Sequence, residues 1–191
     1  AITKTRYIDT AFNQKVFSFC NRDEISFDFH LMPHKSKHLL IADFGHGSGN
    51  LPGSGRFTSL MVQSNSLNWG FNLLTKYKRA DYIVCDEVEL RLAMKDRNST
   101  IDKLAKQLAV KMQARLLALT LGHEGALIID VDKSVIDLSG ATMRIYKYPT
   151  YARKVVDRMG AGDAFLAASA PLAAMGAPAQ VVGLVGSVAA G

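Results

Sequence analysis

Cysteine is scarce in this sequence, with two residues, Cys20 and Cys85, among 191. Two distant cysteines in a chain of this length exclude the disulfide framework that is typical of small secreted proteins. Cys85 closes the apolar run 82–84, where a cysteine behaves as a small buried hydrophobic residue. The opening residues 1–6 also lack the apolar segment of a secretory signal peptide. These absences predict a protein of the reducing cytoplasm.

Blocks of like charge are absent as well, although the formal net charge is +6. Most of the positive residues are spread over 4–37, 76–115 and 144–158, and no run reaches five. A binding site for an anionic small molecule explains this balance as well as a nucleic-acid partner does. We therefore expect no nucleic-acid partner, and the alternative of a nucleic-acid-binding domain rests on charge alone.

Charged side chains are missing altogether from 164–191, a segment rich in Ala, Val and Gly. Its length alone would allow a membrane span. Pro171, Pro178 and Gln180 interrupt it, and its many Ala and Gly residues contribute little hydrophobicity. Because Gly ends helices and Pro begins them, we expect two buried helices that join near 176–178, and no membrane partner.

The composition that remains is that of a globular protein, with 48% hydrophobic and 21% charged residues. Short apolar runs that are typical of buried strands occur at 39–42, 60–62, 82–85 and 116–120. Helical patterns follow at 87–94 and from a cap at Ser99 or Thr100 to about 113. Further strands are expected at 2–8 and 15–19, and a hairpin at 125–131 and 134–138. The alternation predicts an α/β fold with a largely parallel sheet flanked by helices.

Polar residues stand at the ends of the predicted strands. They are Asp43, Gln63, Asp86, Thr120 and Asp157. The carboxyl ends of parallel strands meet at one edge of a sheet, and ligands bind at that edge. The sequence therefore predicts one polar site along one edge of the sheet.

The run Gly160–Ala161–Gly162–Asp163 precedes the first of the two closing helices. Small residues at a helix start let a ligand approach the unpaired N–H groups, which bind anions together with the helix dipole. A carboxylate in the first turn can accept a proton, and phosphoryl transfer to an alcohol needs both features. An ordinary glycine-rich helix start is the competing interpretation, because short glycine motifs recur by chance.

Two further elements have chemistry of the same kind. Thr120–Gly125 is a glycine-containing turn after a strand, whose backbone N–H groups can hold nucleotide phosphates. Asp86 and Glu89 put carboxylates at a strand end and in the first turn of a helix, where they can bind Mg²⁺ directly or through water. Helix capping is the competing interpretation of this acidic pair.

In this order the three elements resemble the ribokinase-like (PfkB) family of carbohydrate kinases. The resemblance implies a catalytic base at Asp163 and an anion hole at Gly160, Ala161 and Gly162. Contacts with the nucleotide are implied for Thr120, Gly122, Gly125 and Asp157. It implies a Mg²⁺ role for Asp86 and Glu89, with Asp86 in the place of the family's Asn. The candidate substrate residues are Asp43, Gln63 and Asn65.

The resemblance is closest to the branch that phosphorylates heptose phosphates, which is often joined to or found beside a nucleotidyltransferase. Residues 3–7, 42–47 and 65–72 are similar to that branch. The resemblance implies ATP and Mg²⁺ as cofactors and a sugar or a heptose 7-phosphate-like sugar phosphate as acceptor. It also implies a homo-oligomer or a fused or adjacent nucleotidyltransferase as partner. The alternative is a catalytically poor nucleotide-binding remnant or assembly piece, because Arg158 stands where the family has a small residue.

The same resemblance bears on domain organisation. It implies one partial kinase domain over 1–191, with lid strands in 1–20. The family's early Gly-Gly substrate motif is not found, so we expect the chain to correspond to the middle and later part of a kinase, cut at both ends.

Three other patterns predict less. The glycine-rich stretch 45–55 lacks the Gly-Lys-Ser/Thr of a P-loop. His30, His34 and His38 are four residues apart, but Pro33 disfavours a helix there and we expect a solvated loop. Trp69 and Phe71 could stack on a base, and we expect them instead to pack in the interior.

Overall fold

Eight strands and four α-helices are formed by the residues that the structure, a computed structural model, describes. The described residues are 2–11, 14–22, 36–45, 55–65, 68–131, 143–152 and 159–191. The strands are β1 (Ile2–Asp9), β2 (Gln14–Arg22), β3 (His38–Asp43), β4 (Phe57–Val62), β5 (Tyr82–Asp86), β6 (Leu116–Thr120), β7 (Ala126–Val131) and β8 (Met143–Tyr148). The helices are α1 (Glu87–Met94), α2 (Ile101–Lys111), α3 (Ala161–Ala174) and α4 (Ala179–Ala190).

The larger sheet has six strands in the order β3-β4-β5-β6-β7-β8. The first four are parallel to one another, whereas β7 and β8 pair in antiparallel fashion. Helices α1 and α2 pack on one side and α3 and α4 on the other. This is the α/β fold that the sequence predicts, with a largely parallel sheet flanked by helices.

Strand β5 shows why the sheet is covered on both faces. Ile83 and Cys85 belong to the core beneath α1 and α2, and Tyr82 and Val84 belong to the core beneath α3 and α4. Successive strand side chains point to opposite faces, so a strand that is apolar at every position needs a layer on each side. All four side chains are buried, and the thiol of Cys85 is free. Burial of that thiol raises its pKa well above the ordinary value.

Helices α1 and α2 begin close to the predicted positions. Asp86 caps α1, and Lys95 in the left-handed conformation ends it. Thr100 occupies the N-cap position of α2 without a side-chain capping bond. Between the two helices, Arg91 pairs with Glu87 and donates hydrogen bonds to the carbonyls of Arg97 and Ser99. These bonds fix the connection after α1.

Helices α3 and α4 confirm the expected pair of closing helices. They join at 175–178, where Gly176 has a φ of 76° and Pro178 is the N-cap of α4. Of the helices in the described ranges, none has both the length and the apolar character needed to span a bilayer. On β5, Tyr82 shares a 2.8 Å hydrogen bond with Ser169 of α3, which fixes the helix against the sheet.

The second sheet is the antiparallel hairpin of β1 and β2, with an irregularity between Tyr7 and Ile8. Both strands confirm the expectation of extended structure at the start of the chain. Large apolar side chains are exposed on it, at Tyr7, Ile8, Val16 and Phe19. Its role as lid strands stays a prediction.

The predicted hairpin at 125–131 and 134–138 is wrong in its second strand. Strand β7 lies where the first strand was expected, but its two edges are occupied by β6 and β8. Val131 pairs with Met143, so the partner strand comes from residues beyond the expected one. Residues 134–138 themselves lie outside the described residues.

Candidate functional site

The four parallel strands bring four of the predicted polar residues to one edge of the sheet. Asp43 ends β3, Gln63 follows β4, Asp86 ends β5 and Thr120 ends β6. Adjacent strand ends are in register, since Asp43 pairs with Val62 and Asp86 with Thr120. The fifth residue, Asp157, lies outside the described residues, as does Arg158.

Asp43 is enclosed by groups of the protein itself. Its side chain accepts hydrogen bonds from the Tyr77 hydroxyl at 2.7 Å and the Gly45 N–H at 2.8 Å. The Asn72 amide donates a third at 3.4 Å, and Lys76 forms an ion pair with it. Only 2% of the residue is exposed. Asp43 therefore fastens the segment 72–77 to the end of β3, and its contact with a substrate stays a prediction.

Two buried asparagines, for which the sequence analysis predicts no separate role, hold the segment that follows β4. Asn68 donates to the carbonyl of Phe44 at 3.1 Å, and Asn72 donates to the carbonyls of Asp43 and Gln63 at 3.2 Å each. The Asn68 amide lies so close to Gly45 that a Cβ there would overlap it. Because buried amides need partners, these contacts fix the backbone beyond both strand ends.

The two other candidate substrate residues lie in the same segment. The Gln63 backbone N–H donates to the Asp43 carbonyl at 2.8 Å. Asn65 uses its side-chain amide to donate to the Phe44 carbonyl at 3.4 Å and its backbone N–H to donate to Asn68 at 2.8 Å. Both residues are partly exposed at the carboxyl edge, and their contact with a substrate stays a prediction.

Asp86 and Glu89 form a reciprocal capping box at the start of α1. Asp86 accepts from the Glu89 N–H at 2.7 Å, and Glu89 accepts from the Asp86 N–H at 3.0 Å. The second Glu89 oxygen accepts from the Ser64 N–H at 3.0 Å, which links the ends of β4 and β5. The capping interpretation of this pair is thus correct, and it leaves the metal role as a prediction.

The electrostatics of this acidic pair are unusual for a surface cap. Burial, followed by the negative charge of Asp86, raises the pKa of Glu89 to about 7, and the charge of Asp163 adds to the shift. Burial also raises the pKa of Asp86. The negative charges of Asp86 and Asp163 both act on Glu89, so a cation close to these three carboxylates would reduce their mutual repulsion.

The residues present fit a Mg²⁺ ion that is shared with phosphate groups. No group of three or more metal-ligating side chains occurs among the described residues. Asp86 and Glu89 supply two carboxylates, and Mg²⁺ in phosphoryl-transfer sites is typically held by one or two carboxylates, water and substrate phosphates.

Asp163 lies in the first turn of α3, three residues after the N-cap residue Gly160. Gly160 has a φ of 87°, and no atom of the described residues lies near the position of an added Cβ, as the approach of a ligand to the backbone at this helix start requires. An added Cβ at Gly162 would lie 3.8 Å from the sulfur of Met61, which places this turn against β4. Ala161 is the first helical residue.

The carboxylate of Asp163 lacks the hydrogen-bond donors that surround Asp43. Its Oδ1 atom is buried and has no hydrogen-bond partner among the residues that the structure describes. Burial raises the pKa of the group. A buried acceptor without a donor is costly, and a ligand hydroxyl at this position would satisfy it.

The turn after β6 contains two glycines in conformations that favour glycine. Gly122 and Gly125 have φ values of 60° and 92°, and a short 3₁₀ turn lies between Gly122 and Glu124. Space around the Gly122 Cβ position is open, whereas at Gly125 it is filled by the backbone of Tyr148 and Pro149. Thr120 donates its hydroxyl to the Cys85 carbonyl at 3.4 Å. The nucleotide contacts of Thr120, Gly122 and Gly125 stay predictions.

A largely parallel sheet flanked by helices, with a glycine turn and a glycine-led helix at its carboxyl edge, defines the class of α/β proteins to which this chain belongs. The model of the pfkB family of carbohydrate kinases matches residues 62–191. The match covers more than half of the chain, and the protein belongs to that family. No curated protein matches the sequence.

Solved structures of kinases are similar to the chain over part of its length. Adenosine kinase from Sinorhizobium meliloti is 20% identical with a TM-score of 0.46, over 58% of this chain and 30% of that one. Phosphofructokinase-2 from Escherichia coli is 19% identical with a TM-score of 0.49, over 59% and 34%. Ribokinase from Thermotoga maritima is 23% identical with a TM-score of 0.46, over 58% and 34%. The chain thus spans about a third of the length of these structures.

Proposed function

We propose that this chain carries the phosphoryl-transfer site of an ATP-dependent kinase whose acceptor is a hydroxyl of a sugar or sugar phosphate. The observation that carries the proposal is the buried, unpartnered Oδ1 of Asp163 in the first turn of α3. A general base must be within reach of the hydroxyl it deprotonates, and an acceptor atom that lacks a donor is suited to that hydroxyl. Membership of the carbohydrate kinase family supports the same reaction.

The chain's own groups have separate tasks in this reaction. The N–H groups around Gly160 and Gly162 bind the transferring phosphoryl group, and Asp163 accepts the proton of the attacking hydroxyl. The Thr120–Gly125 turn binds the nucleotide phosphates through its backbone. Asp86 and Glu89 hold Mg²⁺, which neutralises charge on the phosphates when it is bound. Positioning supplies much of the catalysis, because phosphoryl transfer depends on alignment of donor, acceptor and base.

A heptose 7-phosphate is the acceptor that we propose. The formal net charge of +6 suits a doubly anionic substrate. The resemblance of residues 42–47 and 65–72 to the heptose-phosphate branch supports the same choice. A cytoplasmic location, and association with a second copy or with a nucleotidyltransferase, belong to this proposal.

Sugar-dependent ADP release tests the proposal. We expect the isolated chain to bind nucleotide and sugar weakly and to phosphorylate little sugar, because the family's early substrate motif was not found in its sequence. A kinase that contains this chain together with that motif should release ADP with heptose 7-phosphate, and Asp163→Asn should lower turnover about a hundredfold or more. ATP affinity should change little in the variant, because the substitution removes a proton acceptor and no backbone N–H.

The outcomes separate the proposal from its alternative. Turnover of the Asp163→Asn variant at the wild-type rate would refute the base role. Nucleotide binding without sugar-dependent ADP release in the complete protein would favour the catalytically poor remnant. A preference for free ribose or fructose would refute the heptose-phosphate acceptor and leave the kinase reaction intact.

A further inference from the structure

Two large aromatic side chains are exposed on the turn formed by residues 68–72. Trp69 is 58% exposed and Phe71 is 90% exposed, with Gly70 between them at a φ of 77°. The expectation that they pack in the interior is wrong. Two large exposed apolar side chains that are separated by one residue mark a binding surface more often than a single exposed residue does.

The turn that bears this aromatic pair is held firmly at both ends. Asn68 before the pair and Asn72 after it are buried to 9% and 5% exposure. Asn68 accepts from the Asn65 N–H at 2.8 Å, and its backbone carbonyl accepts from the N–H groups of Phe71 and Asn72. Interior contacts of the aromatic rings therefore do not fix this turn; its buried amides do. A surface that is fixed before a ligand arrives loses less conformational entropy on binding.

The turn lies on the acceptor side of the proposed site and not on the nucleotide side. It follows β4, whose end is linked to Glu89 through Ser64 and whose Met61 lies against the first turn of α3. The glycine turn at 120–125 follows β6, two strands away, which corresponds to about 10 Å at the spacing of paired strands. The turn that bears the aromatic pair therefore lies at the ends of β3 and β4, on the part of the carboxyl edge away from the turn assigned to the nucleotide.

We propose that Trp69 and Phe71 form an aromatic platform for the ring of the acceptor sugar. This inference rests on the proposed function and assigns the acceptor side of its site. The C–H face of a sugar ring is apolar and packs against aromatic rings, while its hydroxyl groups remain free for polar partners such as Gln63 and Asn65. Aromatic residues bury about 150–250 Å² each, so the pair suits a small ligand better than a stable protein interface of about 1,000 Å² or more.

Trp69 is the only tryptophan of the chain, and its fluorescence therefore reports on the platform directly. The experiment titrates the whole chain with heptose 7-phosphate, with free sugars and, separately, with ATP and Mg²⁺. We expect the sugars that bind to shift the emission to shorter wavelength and to protect Trp69 from acrylamide quenching. ATP with Mg²⁺ should leave the emission nearly unchanged.

A matched pair of variants separates binding from stability. Phe71→Ala should raise the dissociation constant of the bound sugar about tenfold, because one ring of the platform is lost. Its thermal midpoint should equal that of the wild type, since the ring is exposed. Met175→Ala is the control: it removes an apolar side chain that is 82% exposed at the other end of α3, and sugar binding should not change.

The results also distinguish this inference from the proposed function. Sugar-dependent ADP release by the complete kinase with an unchanged KM in Phe71→Ala would overturn the platform and leave the kinase. A sugar-induced emission shift in this chain, together with no ADP release by the complete kinase, would support the platform and refute the kinase. A shift with ATP alone, no shift with any sugar, or an effect of Phe71→Ala on self-association only would each overturn the platform.

Discussion

Asp43 is a buried carboxylate and Asp163 a half-buried one with a buried Oδ1 atom, both at the same edge of the sheet, yet the described residues supply hydrogen-bond partners only to the buried oxygens of Asp43. Asp43 has a hydroxyl, a backbone N–H, an amide and an ammonium group as partners. Asp163 has a buried oxygen with no donor among the described residues. A carboxylate that is fully paired inside the fold stabilises structure, whereas one that lacks partners keeps its acceptor capacity for a ligand.

The two glycines of the turn after β6 show the same contrast at the level of the backbone. Gly125 faces the backbone of Tyr148 and Pro149, and Gly122 faces open space. One glycine is needed by the fold itself, and the other leaves a surface that a phosphate can approach. At the carboxyl edge, some groups are therefore paired or covered by the fold, such as Asp43 and Gly125, and others are not, such as Asp163 and Gly122. Substitutions can test this distinction.

The largest effect is expected for Gly125→Ala. A methyl group at this position would overlap the backbone of the 148–149 segment, and the φ of 92° disfavours any side chain. We expect a loss of about 4 kcal/mol or more in the free energy of unfolding, measured by urea denaturation. Gly122→Ala is the matched control, with a positive φ but open space, and should cost about 1 kcal/mol. Equal losses of unfolding free energy in the two variants would show that the contrast between Gly125 and Gly122 does not exist.

A loss of about 3 kcal/mol is expected for Asp43→Asn, because the ion pair with Lys76 breaks and a buried network loses its acceptor. Urea denaturation measures it, with Asp102→Asn at an exposed position of α2 as the control, expected within about 0.5 kcal/mol of the wild type. Tyr77→Phe removes a single bond to Asp43 and should lose about 1–2 kcal/mol. An Asp43→Asn variant as stable as the wild type would show that this network does not stabilise the fold.

The sequence predicts which polar residues reach the carboxyl edge better than it predicts the contacts that pair them there. Apolar runs followed by polar residues are local signals, and parallel pairing then brings Asp43, Asp86 and Thr120 to one edge. The contacts of Asp43 with Asn72 and Tyr77 join residues 29 and 34 positions apart, so they depend on the finished fold. Strand β8 was missed because most of its side chains are only half-buried and its apolar pattern is weak.

The pH dependence of stability follows from Glu89. Its pKa rises from 4.5 to about 7 on folding, mainly through burial. The folded state therefore binds more protons than the unfolded chain between these values, and the free energy of unfolding should fall as pH rises from about 4.5 to 7. Asp86 and Asp163 act in the same direction, since burial raises the pKa of each.

Denaturation curves measured at several pH values test this dependence. Glu89→Gln should flatten the profile across the window, whereas Glu124→Gln, at an exposed position of the 120–125 turn, should follow the wild type. If the wild type became more stable as pH rose through this range, the assignment of a proton to folded Glu89 would be wrong.

The smallest effect on stability is expected for Asp163→Asn, the substitution with the largest expected effect on turnover. No bond of Oδ1 to a described residue is lost, and the charge that raises the pKa of Glu89 disappears. The free energy of unfolding at pH 7 should stay within about 0.5 kcal/mol of the wild type or rise slightly, and the apparent pKa of Glu89 should fall. Denaturation at pH 7, together with titration of the Glu89 carboxyl carbon by NMR, measures both quantities. A stability loss as large as that of Asp43→Asn would mean that Asp163 is a structural carboxylate like Asp43, and the contrast on which the proposed site rests would fail.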